Sequence, residues 1–133
     1  MKREDPCHPR HLGAVAGIAL LAGLALPAMA TAEPVSFKED VVPILKIRCL
    51  ECHQPGGEGY EKSGLDMRTY EGLMKGTKFG PVIMPRRAFE SDLVAVIDHR
   101  TDPQIWMPHK KKQLSKCERQ VIRFWISQGA HDN

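Results

Sequence analysis

Cys49, Cys52 and His53 lie in the stretch CLECH, two thiols and an imidazole within five residues of a chain that has only four cysteines. A Cys-x-x-Cys redox pair belongs with the alternating strands and helices of a thioredoxin-like domain, and no such alternation flanks this stretch. A tetrahedral zinc site would draw on a second Cys-x-x-Cys or an equivalent pair, which the sequence lacks. A simple disulfide leaves the adjacent histidine unexplained. Covalent haem attachment accounts for all three side chains: each thiol forms a thioether with one vinyl group, and the histidine that follows is brought under the iron as an axial ligand. Zinc and thiol redox chemistry remain the alternatives.

An iron held on one face by His53 needs either a second ligand or an open position on the other. Beyond the N-terminal segment the chain offers Met67, Met74, Met84 and Met107, with His99, His109 and His131. Met74 falls on a helical apolar stripe, where a methionine ordinarily fills core. Met107 stands in IWMPHKKKQLS, outside any helical pattern and beside Pro108, whose fixed φ stiffens the loop. A methionine held this way suits a thioether ligand, and His109, two residues on, is its competitor. Lys110, Lys111 and Lys112 follow directly and could steer an acidic partner. Arg68 could pair with a haem propionate or simply face solvent.

The elements that must position these groups read as helices. Ser36 and Glu39 make a capping box, and Phe37, Val41, Ile44 and Leu45 continue it at helical spacing, which predicts a helix over Phe37 to Arg48 with a kink at Pro43. Tyr70, Leu73 and Met74 predict a short helix stopped by Gly76, and Leu93, Val96 and Ile97 another capped by Ser91. Ser115 and Glu118 form a second capping box, from which Cys117, Val121, Phe124 and Trp125 run along one apolar face until Gly129. QPGGEGYEKSG and GTKFGPVIMP read as loops long enough to wrap something.

Ahead of all this, a short charged stretch precedes the uncharged run GAVAGIALLAGLALP and small residues at Ala28, Ala30 and Ala32. That layout predicts a signal peptide over residues 1–32, cut after Ala30 or Ala32, and a periplasmic product, or a membrane-anchored one if the segment is not cleaved. The remainder, residues 33–133, is the size of one small domain of about 100 residues. The formal net charge of +3 for the whole chain is far from the basic excess expected of a nucleic-acid partner.

From Val35 to Ala130, the succession VSFKEDVVPILKIRCLECH, SGLDMRTYEGLMKG, FGPVIMP, ESDLVAVIDH and WMPHKKKQLSKCERQVIRFWISQGA resembles the planctomycete-type cytochrome c domain. The resemblance implies the small all-α cytochrome c fold, with N- and C-terminal helices packed together around one covalently bound haem c. It implies that Cys49 and Cys52 carry the haem and that His53 and Met107 bind its iron. The family often has a second proline after the Met-Pro pair and an acidic residue early in the last helix, where this chain has His109 and Cys117. These readings together point to a single-electron carrier between redox partner proteins rather than an enzyme. A haem-based sensor or peroxidase-like enzyme with a labile distal ligand is the alternative.

Overall fold

Ser36 opens the first described helix by accepting the Glu39 amide on its hydroxyl at 3.2 Å, but its own amide goes to the Asp40 carboxylate at 2.8 Å rather than to Glu39. The structure is a computed structural model that describes residues 33–133, so the expected leader and its cleavage sites lie outside the described residues. In place of one kinked helix, the segment winds as a π turn over Phe37–Val41 and then as α1, Val42–Arg48. Pro43 stands in the first turn of α1, where a missing amide leaves no bond unmade, so the proline is accommodated without a break.

Four further helices follow: α2 (Glu58–Ser63), α3 (Tyr70–Lys75), α4 (Asp92–Ile97) and α5 (Lys116–Ser127), with 3-10 turns at Ala88–Glu90 and Pro103–Ile105. Among the described residues there is no strand, only an isolated bridge between Thr77 and Gly80, and no helix is long and apolar enough to cross a membrane. The expected all-α class is the observed one. Helix α2 was not foreseen, since the sequence there reads as loop. It buries no residue, so no apolar stripe announces it. It is held instead by the turn before it, with the Tyr60 amide on the Cys52 carbonyl at 2.8 Å, and by the Ser63 hydroxyl bonding back to the Gly59 carbonyl within the helix at 2.6 Å.

Helix α5 has the expected capping box, with the Ser115 hydroxyl accepting from the Glu118 amide and the Glu118 carboxylate from the Ser115 amide. Its buried face differs from the expected one. Ile122, Trp125 and Ile126 are buried, while Phe124 is 50% exposed and Cys117 and Val121 are half-buried. Neighbours three and four apart share a face, and the stripe centred on Trp125 wins because that ring meets Phe37 and Tyr70. The Phe37 and Trp125 centroids are 5.1 Å apart, and Tyr70 sits edge-on to both at 5.3 and 6.5 Å. Packing Phe37 on Trp125 joins the start of the first described helix to the last. Asn133 closes the same seam, accepting the Phe37 amide on its side chain at 2.8 Å and the Lys38 amide on its carbonyl at 3.0 Å.

The end of α4 is tied to α5 by charge. The Asp98 carboxylate is nearly inaccessible and pairs with Arg123, Arg119 and Arg100. Ser91 stands at the N-cap of α4 as expected, but makes no capping bond with its side chain, whose hydroxyl accepts the Met84 amide at 2.9 Å and donates to the Arg87 carbonyl at 3.0 Å.

Candidate functional site

Cys49 is the residue that closes α1, its amide donating to Leu45 at 2.9 Å, and the chain then turns so that the amides of Cys52 and His53 both donate to the Cys49 carbonyl, at 3.1 and 3.0 Å. This tight turn is what gathers CLECH into one surface. Cys49, Cys52 and His53 line a cavity of about 410 Å³, and so does Met107, more than fifty residues along the chain. That volume lies within the range of about 300–1,000 Å³ usual for cofactor and ligand sites. Leu65, Met67, Val82, Leu93, Val96, Ile97 and Leu114 supply its apolar wall.

His53 is buried. Burial lowers the proton affinity of its ring, more than the backbone of Leu65 raises it, so the imidazole is neutral near pH 7 and carries the lone pair that ligation of a metal requires. Its Nδ1 is buried without a hydrogen-bond partner. Burial also pushes the Cys49 thiol up to about 12, against the lowering effect of Arg48. A redox-active Cys-x-x-Cys depends on a depressed pKa, so this environment counts against dithiol exchange. Cys49 and Cys52 are the free cysteines among the described residues.

Gly59, near the start of α2, lies against the histidine. A Cβ there would stand 2.8 Å from His53 Cε1, 3.0 Å from its Nδ1 and 3.0 Å from the Cys52 carbonyl oxygen. Alanine is worth about 1 kcal/mol over glycine in a helix, but overpacking against backbone costs typically about 1–3 kcal/mol. The clash wins. Gly59→Ala is therefore expected to lower the thermal midpoint and to reduce the haem carried per chain, measured by denaturation and by pyridine haemochrome absorbance. Equal stability and equal haem content would show that the ring has room to move.

Met107 approaches from another wall. Its amide donates to the Val96 carbonyl in α4 at 3.2 Å, and the preceding Trp106 stacks on His99 with ring centroids 4.3 Å apart and planes 3° from parallel. Met67 is the other methionine lining the cavity. Its amide donates to the carbonyl of His53 itself at 2.9 Å, which places its backbone beside the histidine. Met74 packs against the core, and Met84 does not line the cavity.

His109 is exposed at the mouth of the cavity, where Phe79 and Ile105 are exposed too. Arg68 is not among the lining residues; Asp66 holds its guanidinium at 2.7 Å on the surface. Sequence reasoning missed Gly59, the cavity-lining role of Met67, and Arg48, which also lines the site. No periodicity or motif marks them: Gly59 matters through the ring of His53, Met67 through its place beside that histidine, and Arg48 through contacts 64 and 65 positions away.

The residues fit a covalently held haem: two free thiols and a neutral imidazole on one turn, an apolar wall, a thioether lining the same cavity, and a glycine where a side chain would crowd the histidine. No curated protein and no solved structure matches the chain. Residues 49–110 match the family model described as Planctomycete cytochrome C. That span begins at Cys49, takes in His53 and Met107, and leaves α1 and α5 outside it, so the segment that supplies most of this cavity is similar to the planctomycete cytochrome c family.

Proposed function

We propose that the chain is an exported monohaem cytochrome that relays single electrons between partner proteins, with haem c attached through Cys49 and Cys52 and with His53 and Met107 as iron ligands. A domain of this family is a c-type cytochrome, and similarity to it implies covalent haem c. The observation that carries the finer reading is the convergence of Cys49, Cys52, His53 and Met107 on one apolar cavity. Bound haem supplies a reversible one-electron couple, and His/Met ligation favours its reduced state. The protein's part is to hold two donors and exclude water. His53 presents a neutral imidazole fixed at the end of α1, and Met107 a soft sulfur fixed to α4. Donors on both faces leave no vacant position for a substrate, which favours a carrier over a sensor or peroxidase.

The mouth of the cavity is the natural place for a redox partner, since Phe79 and Ile105 are exposed there. The lysine run beside it is not a uniform positive face. Lys111 is paired with Glu51, so Lys110 and Lys112 carry the steering charge. Export rests on the N-terminal layout. One mass measurement tests export and attachment together: protein recovered from the periplasm is expected to lack its first 30 or 32 residues and to carry one covalent haem. A full-length, haem-free chain would sink both.

A further inference from the structure

We propose that Arg48 is a positioning residue that staples the methionine loop to the haem-attachment helix and so keeps the Met107 sulfur in place. The second half of that statement rests on Met107 being the distal ligand. Arg48 is the last residue of α1, immediately before Cys49. Its Nη2 donates to the carbonyls of both Lys112, at 2.9 Å, and Gln113, at 3.1 Å. These residues are separated from it by 64 and 65 positions, so the two bonds join the attachment turn to the far end of the loop that carries Met107.

The guanidinium is itself held. Its Nε lies 3.6 Å from one carboxylate oxygen of Glu118, and the other oxygen of Glu118 accepts the Ser115 amide at 2.6 Å, closing the capping box of α5. One side chain thus connects the end of α1, the methionine loop and the start of α5. The second tie between loop and attachment turn, Lys111 with Glu51, is exposed to solvent, and exposed pairs contribute little. On its other side the loop is fastened to α4 by the Met107 amide on Val96 and by the Gln113 side-chain amide on the Ile97 carbonyl at 3.0 Å. Without Arg48 the loop loses its main hold on the cysteine turn and depends on its two bonds to α4, which then open more often. Lysine is a poor substitute, because its single ammonium cannot place one nitrogen on both carbonyls and a second towards the carboxylate.

The test uses the haem-loaded protein and two variants, Arg48→Ala and Arg48→Lys. Imidazole is titrated against the ferric form, following the weak sulfur-ligation band on the order of 700 nm, and amide hydrogen exchange is read at Met107, Lys111 and the α5 core. Charge-assisted hydrogen bonds of this kind predict that Arg48→Ala binds imidazole about ten- to a hundredfold more tightly. Exchange at Met107 and Lys111 should speed up by a similar factor while Ile122 and Ile126 hold their protection, with Arg48→Lys in between. Unchanged imidazole affinity and unchanged loop exchange would overturn the proposal, and so would a loss of protection spread equally over the loop and α5. Should Arg48→Ala fail to fold, the same comparisons are made on Arg48→Lys. If the wild type lacks the sulfur band, it is the ligand reading that fails. The exchange rates then decide the staple alone: faster exchange confined to Met107 and Lys111 supports it, and equal rates reject it.

Discussion

Changing Cys49 and Cys52 together to alanine is expected to yield a chain that retains no haem through acid extraction and no cooperative unfolding transition. The thiols line a cavity of about 410 Å³ bounded mainly by apolar side chains. Without a group to cover them, these apolar side chains stay exposed to water, and a domain of about 100 residues with a total stability of about 5–15 kcal/mol has little to offset that loss. Each single variant keeps one thioether position and is expected to fall between, with lower haem yield and a lower thermal midpoint. The measurements are haem retention after acidified-acetone extraction and thermal circular dichroism. A double variant that melts cooperatively near the wild-type temperature would mean that the protein alone fills its core.

Met107→Ala is expected to abolish the ferric band on the order of 700 nm and to lower the midpoint potential by roughly 100 mV or more, a modest part of the ~0.8 V over which axial ligands tune haem. His109→Ala should keep the band and nearly the wild-type potential. The histidine is exposed, whereas the Met107 amide is bonded to α4 at 3.2 Å. For His109 to replace the sulfur, the loop would have to slide by two residues and give up that bond. Met67→Leu separates the two cavity methionines: its backbone is bonded beside His53, and the band should survive. Spectra and potentiometric titration of the three variants settle the assignment, and a band lost only in the Met67 or His109 variant would reverse it.

The CLECH turn and the helices that follow an amphipathic rhythm were legible in the sequence, because their signals are local. A Cys-x-x-Cys-His spacing is chemistry written within five residues, and the capping box at Ser115 and Glu118 is complete within four. What escaped was set at a distance. Helix α2 has no buried side chain and is fixed by carbonyls of the turn before it. Phe124 and Trp125 are adjacent in sequence, and only the aromatic partners Phe37 and Tyr70 decide that Trp125 turns inward. The first described helix starts with a π turn, and there Asp40 rather than Glu39 takes the Ser36 amide, a choice between neighbouring carboxylates that no pattern distinguishes. Arg48 reads as an ordinary helix-ending cation until the carbonyls of Lys112 and Gln113 arrive beside it.

The seam closed by Asn133 has a consequence for the order in which this chain acquires its shape. Contacts from Val35, Ser36 and Phe37 reach across 93 to 98 positions to Gln128 and Asn133. Contacts of such separation form late, since the two ends must meet before the bonds between them reward the meeting. As the chain emerges from its N-terminal side, Cys49 to His53 appear well before Gln128 and Asn133 can tie the first described helix to the last. The topology therefore separates early exposure of the CLECH turn from a late closure that waits for residues more than ninety positions away.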